Sequence, residues 1–122
     1  MAKILLIDDD SALTTIFSTA FTKAGFQTVV ASSGQDGIDK AKNEKPDIIL
    51  LDQIMPGMSG NQTLKALKSD PLTQNMPVIM LSNFNQEELV KEAINSGAAD
   101  YVSKFQVEPQ DIVNKIKQIL KM

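Results

Sequence analysis

Carboxylates gather where short apolar runs stop. Asp8, Asp9 and Asp10 follow the run 4–7, and Asp52 follows the run 48–51. Two further runs end on other polar groups, Ser82-Asn83 after 78–81 and Ser103-Lys104 after 101–102. The chain contains neither His nor Cys, so it lacks the commonest metal ligand and proton shuttle, any thiol site and any disulfide framework. Metal chemistry therefore falls to oxygen ligands, which suit hard divalent cations such as Mg²⁺ or Mn²⁺. A hydroxyl and an ammonium suit the oxygens of an anion instead.

Residues this far apart in sequence act together only if the fold brings them to one place. With 122 residues, 43% of them hydrophobic and 22% charged, the chain can bury a real core without staples, and residues 1–122 read as one domain. The runs 4–7, 29–31, 48–51, 78–81 and 101–102 read as buried strands. Between the first two, Leu13, Ile16, Phe17, Ala20, Phe21 and Ala24 recur at helical spacing and stop at Gly25, an amphipathic helix with a glycine cap. Further helices fit 34–44, 60–69 and 86–96. A last one starts at Pro109 and carries Ile112, Val113, Ile116, Ile119 and Leu120.

Five strands alternating with five helices, the strands apolar along their length, predict a parallel sheet covered on both faces, an α/β doubly wound fold. Connections are short, and no linker, repeat or low-complexity segment interrupts them. A net charge of -3 gives no basic footprint, so direct nucleic-acid contact is not expected. No apolar run approaches the roughly 18 residues of a membrane span, and Met1-Ala2-Lys3 does not open a signal peptide. A cytoplasmic protein is the expectation.

In an open α/β sheet, ligands bind beyond the carboxyl ends of the strands where the winding reverses. If the strand order is 2-1-3-4-5, the first and third strands are neighbours and Asp8, Asp9 and Asp52 converge. Close carboxylates repel, so one stays protonated or a cation sits among them. Lys104 could then pair with Asp52 when the site is empty and with a phosphoryl oxygen when it is filled, with the Ser82 hydroxyl bonding another. Together these groups describe phosphoryl transfer to a carboxylate. Taken singly, Asp52, Ser82 and Lys104 are ordinary loop residues; their joint placement is what argues for a site. Asp10 reads as the N-cap of the first helix and stands outside the site. Tyr101 alone would be a core residue, and Met55-Pro56-Gly57 with Gly60 reads as turn chemistry.

Four blocks, in order and spacing, resemble the receiver domains of two-component response regulators, and the resemblance covers essentially the whole chain. KILLIDDD resembles the family's acidic-pair strand, DIILLDQIMPGMSG its phosphoacceptor strand and loop, VIMLSN its hydroxyl-bearing strand, and GAADYVSK its tyrosine-lysine strand. The resemblance implies a flavodoxin-like (βα)5 fold, of the stand-alone, chemotaxis-regulator-like type. It implies Asp52 as phosphoacceptor, and Asp8, Asp9, Asp52 and the Ile54 backbone carbonyl around Mg²⁺, with Mn²⁺ as a substitute. Ser82 and Lys104 would contact the phosphoryl group, and Tyr101 would change rotamer as Ser82 is drawn toward it. That change would repack the face of the fourth helix and the fourth and fifth strands.

The implied phosphodonor is a sensor histidine kinase or a phosphotransfer protein. A downstream protein would dock on the face of the fourth helix, fifth strand and fifth helix, with the chain a monomer or a phosphorylation-dependent dimer. The chemistry would be self-phosphorylation and self-dephosphorylation, not enzymatic turnover. Because the chain ends one helix after the fifth strand, it leaves no room for an effector domain, as expected of a stand-alone receiver or of a receiver cut from a longer regulator.

Two departures from the family pattern stand out. Phe105 follows Lys104 where the family commonly has a cis proline, and a cis bond there would cost on the order of 3 kcal/mol, so a trans bond and a rearranged loop are expected. Asn83 replaces a small residue and should narrow access to Asp52. Ile54 and Phe84 occupy positions that in the family can orient the hydrolytic water; neither can hydrogen-bond it, so slow autodephosphorylation is expected. The rival reading is a phosphorylation-independent interaction module on the same fold. A haloacid-dehalogenase-like phosphatase would need a second Asp where Ile54 stands. A flavodoxin-like electron carrier would need a Ser/Thr/Gly-rich phosphate loop after the first strand, which is absent.

Overall fold

A strand buried on both faces splits its side chains between two cores, because successive residues point to opposite sides. The computed structural model, which describes residues 2–82, 87–104 and 107–122, divides the apolar runs in this way. Its described elements are β1 (Lys3–Ile7), α1 (Ser11–Lys23), β2 (Gln27–Ala31), α2 (Gly34–Glu44), β3 (Ile48–Asp52), α3 (Gly60–Ser69), β4 (Val78–Ser82), α4 (Glu87–Asn95), β5 (Asp100–Ser103) and α5 (Pro109–Leu120). Ile4, Leu6, Ile48, Leu50, Ile79 and Leu81 meet Phe17 and Phe21 of α1 and Ile112 and Ile116 of α5. Leu5, Ile7, Ile49, Leu51, Val78 and Met80 meet Ile38 of α2, Leu64 and Leu67 of α3 and Ala93 of α4. Two helices thus cover one face and three the other. Each such Leu or Ile contributes roughly 1.5–3 kcal/mol on burial.

The sheet is parallel throughout, in the order β2-β1-β3-β4-β5. This is the predicted doubly wound order, and it makes β1 and β3 neighbours, with Ile7 level with Leu51. Both edge strands run longer than their apolar runs. β2 begins at Gln27, which is exposed, and β5 begins at Asp100, because an edge strand tolerates polar residues that a central strand cannot.

Local signals at the helix ends hold the loops of the functional rim. Asp10 caps α1, its carboxylate accepting from the Ala12 and Leu13 amides at 3.1 and 3.2 Å. At the other end Gly25, at φ +92°, allows the Phe26 amide to bond the Phe21 carbonyl and its own amide that of Thr22, so α1 ends in a Schellman turn with Phe21 and Phe26 in one core. Ser59 and Gln62 form a reciprocal capping box at the start of α3.

Candidate functional site

Backbone pairing continues past the strand ends and fixes the polar residues that follow. The Asp8 amide bonds the Ala31 carbonyl at 3.0 Å, the Gln53 amide bonds Leu81 at 3.0 Å, and the Lys104 amide bonds Ser82 at 2.7 Å. β1, β3, β4 and β5 therefore deliver Asp8, Asp52, Ser82 and Lys104 to the carboxyl rim of the sheet. Asp8, Asp9 and Asp52 each place a carboxylate oxygen within 4.8 Å of the others, the convergence expected from the sequence. Asp8 and Asp52 are buried, whereas Asp9 is exposed to solvent.

Lys104 reaches into this cluster with only 6% of its surface exposed. Its Nζ lies 3.3 Å from Asp52 Oδ1, the expected partner, and nearer still to Asp8 Oδ2, at 2.7 Å. The other Asp8 oxygen accepts from the Asp10 amide at 2.9 Å, which fixes the carboxylate plane. One ammonium thus faces two buried carboxylates and a third at the mouth.

Asp52 feels the imbalance. Burial, then the Asp8 charge, push its carboxyl up to about 6 against the opposing pull of Lys104 and the Ile54 backbone N–H. Burial alone would lower the Lys104 ammonium, but its bond to Asp8 and the charges of Asp52 and Asp8 outweigh this and raise it. Hard oxygen donors this close, with excess negative charge, fit a divalent cation, and the cluster could hold one.

The other expected residues are placed as follows. Ser82 is 1% exposed and level with Ser103 across the β4–β5 pair. Tyr101 is half-buried against the core under α2, α3 and α4. The Ile54 side chain is 54% exposed. Asn83, Phe84 and Phe105 lie outside the described residues.

A family model of the response regulator receiver domain matches residues 4–117. The chain belongs to that family. This receiver domain is 34% identical over 120 residues to protein PilH of Pseudomonas aeruginosa, covering 98% of each chain. It is 33% identical over 118 residues to the phosphate regulon transcriptional regulatory protein PhoB of the same organism, covering 97% of this chain and 51% of that one. The chain thus spans about half the length of the phosphate regulon regulators it matches. The solved CheY-like response regulator receiver domain protein from Methanospirillum hungatei superposes with a TM-score of 0.93 at 29% identity, over 99% of this chain and 94% of that one. The family assignment puts the chain in two-component signalling, where receiver domains work with histidine kinases or phosphotransfer proteins. No helix among the described residues is long and apolar enough to cross a membrane.

Gly60 supports the receiver site in a way its sequence position does not reveal. No positive φ demands glycine there; space does. A Cβ on Gly60 would stand 2.4 Å from the Asp52 carbonyl oxygen and 2.6 Å from Gln53 Cα, so the start of α3 presses on the backbone that carries Asp52. The Gly60 amide also bonds the Gln53 carbonyl at 2.8 Å. From the sequence alone Gly60 read as turn chemistry, which carries no sign of this close approach.

Proposed function

We propose that this receiver domain accepts a phosphoryl group on Asp52, with a divalent cation, from a sensor histidine kinase or phosphotransfer protein, and so switches a protein-interaction surface. The observation that carries the reading is the single ammonium of Lys104 held between Asp8 and Asp52, with Asp9 completing a three-carboxylate cluster. Asp8, Asp9 and Asp52, with the Ile54 carbonyl, would hold Mg²⁺ or Mn²⁺, which when bound offsets the negative charge that keeps an anionic phosphoryl group away.

In the reaction an Asp52 carboxylate oxygen bonds to phosphorus while the bond from phosphorus to the donor nitrogen breaks, the electron pair leaving with that nitrogen. Lys104 pairs a phosphoryl oxygen in place of a carboxylate, and the Ser82 hydroxyl donates to another. Drawing Ser82 inward frees room for Tyr101, and the repacking is read at the surface of α4, β5 and α5. That surface is apt for a partner: Ala93 is the one fully buried residue of α4, and Ile94 is 47% exposed. The phosphoryl chemistry is done by the domain on itself and not as turnover of a separate substrate. A cytoplasmic setting, where such kinases phosphorylate their partners, goes with this reading.

The test is intact-protein mass after incubation with acetyl phosphate, with and without Mg²⁺, for wild type and Asp52→Asn. A gain of one phosphoryl group that needs both Mg²⁺ and Asp52 is expected. No gain in any condition would overturn the reading in favour of a phosphorylation-independent interaction module.

A further inference from the structure

β2 is an edge strand, with β1 on one side and no strand on the other among the described residues. Its Gln27 amide bonds the Ala2 carbonyl at 2.9 Å, and its Ala31 carbonyl accepts from the Asp8 amide at 3.0 Å, so both residues turn their backbone groups toward β1. These groups alternate along a strand, and Thr28 and Val30 therefore direct N–H and C=O away from the sheet. Such a row is a template for another strand. The sequence there, QTVVA, is uncharged and rich in β-branched residues, which favours pairing.

Two side chains of α2 stand over this edge. Lys40 Nζ donates to the Val30 carbonyl at 2.7 Å. One helical turn earlier, the Asp36 carboxylate pairs the same ammonium at 3.2 Å and accepts from the Ser32 amide, the next outward N–H, at 3.4 Å. Together they supply the edge with a donor and an acceptor, as a neighbouring strand would. The Glu87–Lys91 pair of α4 has the same spacing but stands out in solvent, its side chains 82% and 70% exposed against 40% and 37% for Asp36 and Lys40.

The edge is complementary to itself. Two copies related by a twofold axis through Val29 would set Thr28 of one opposite Val30 of the other in antiparallel pairs, each pair exchanging both backbone bonds. Val30 stands in both pairs, so a Lys40 on its carbonyl blocks each of them. We infer that Asp36 and Lys40 clasp the free edge of β2 and keep it from pairing with β2 of a second copy of this chain. The clasp is closed in the unphosphorylated, metal-free protein, and its test is made on that protein, independently of Asp52.

The experiment follows the full chain by sedimentation equilibrium and by backbone amide exchange across a concentration series. In wild type the Thr28 and Val30 amides should exchange at rates independent of concentration. Lys40→Met removes the donor and keeps the hydrocarbon stem. Each clasp is one hydrogen bond from a charged donor, worth about tenfold, and two copies must open one each, so dimerisation should strengthen about a hundredfold. Exchange at Thr28 and Val30 should then slow as concentration rises. Lys40→Arg, which keeps a donor, should behave as wild type. Adding Val30→Pro to Lys40→Met removes an outward N–H that the sheet itself does not use, and should abolish the gain. A Lys40→Met variant that associates no more than wild type, equal association of Lys40→Arg, or association that survives Val30→Pro would overturn the proposal.

Discussion

Lys104 stands nearer to Asp8 than to Asp52, 2.7 Å against 3.3 Å. The ammonium therefore offsets the acid that is not the proposed acceptor, and Asp52 keeps part of the repulsion from Asp8. Replacing Lys104 by Met removes the counter-charge while keeping most of the side-chain volume. In metal-free protein this substitution should cost roughly 3–5 kcal/mol at pH 8, the penalty for breaking a buried ion pair by removing one partner. The loss should shrink at pH 5, where Asp52 takes up a proton. Urea unfolding at the two pH values checks this, and an equal loss at both would break the link to Asp52.

The Asp52 carboxyl, pushed up to about 6 by burial and then Asp8, gives a second pH signature. Its folded value lies above that of the unfolded chain, so the folded state holds the proton more tightly. Its contribution to stability is fully present below about pH 4 and is lost as pH rises through 6. Asp52→Asn removes that dependence. The variant should gain on wild type by roughly 2–3 kcal/mol between pH 4 and pH 7.5 in chelator, at about 1.4 kcal/mol per pH unit. Denaturation curves across that range test it, and a variant that tracked wild type in parallel would contradict it.

Asp9 separates metal binding from stability. Asp8 and Asp52 are buried and coupled to Lys104, but the Asp9 side chain is exposed. Asp9→Asn should leave metal-free unfolding within about 0.5 kcal/mol of wild type, as surface changes usually do. Saturating Mg²⁺, at about a hundred times its dissociation constant, should stabilise wild type by about 2.7 kcal/mol. The variant should lose most of that gain. Thermal unfolding with Mg²⁺ and with chelator decides it; full stabilisation of Asp9→Asn would remove Asp9 from the cluster's ligands.

How much of this was legible in the sequence depends on burial. β1, β3 and β4 are covered on both faces, so their unbroken apolar runs mark them, and the polar residues that end them are visible as candidates. The edge strands hid their first residues, because Gln27 is exposed to solvent and the half-buried Asp100 is satisfied by its ion pair with Lys115. The preference of Lys104 for Asp8 was not legible, since it depends on how a long side chain crosses from β5 to β1 over the intervening strands. Nothing in the sequence marks Gln53 and Asn61 as buried; the packing of α3 against the Asp52 loop buries them.

Ile54 projects its side chain, 54% exposed, two residues beyond Asp52. A hydrocarbon there cannot hold the water that attacks an acyl phosphate, so the phosphorylated form should be long-lived. Ile54→Asn supplies a donor and an acceptor at that place and should speed phosphate loss about 3–10-fold, the worth of one hydrogen bond. The decay of the phosphorylated mass after donor removal measures this. A variant no faster than wild type would mean that the side chain at this position does not govern the water.

Gly60 tests whether the start of α3 positions Asp52. A methyl group there would meet the Asp52 carbonyl oxygen at 2.4 Å and Gln53 Cα at 2.6 Å, both backbone atoms, so no rotamer change relieves the clash. The Ser59–Gln62 capping box holds the helix from the other side, and the loop must move. Gly60→Ala should therefore cost roughly 1–3 kcal/mol, as overpacking does, and should slow phosphorylation from acetyl phosphate. Gly25→Ala is the control: at φ +92° it strains the backbone at the far end of α1, with no atom near the added methyl. It should lose stability and keep the wild-type phosphorylation rate. Equal rates in both variants would reduce Gly60 to a packing residue, whereas slowing confined to Gly60→Ala would tie the geometry of the acceptor to the first residue of α3.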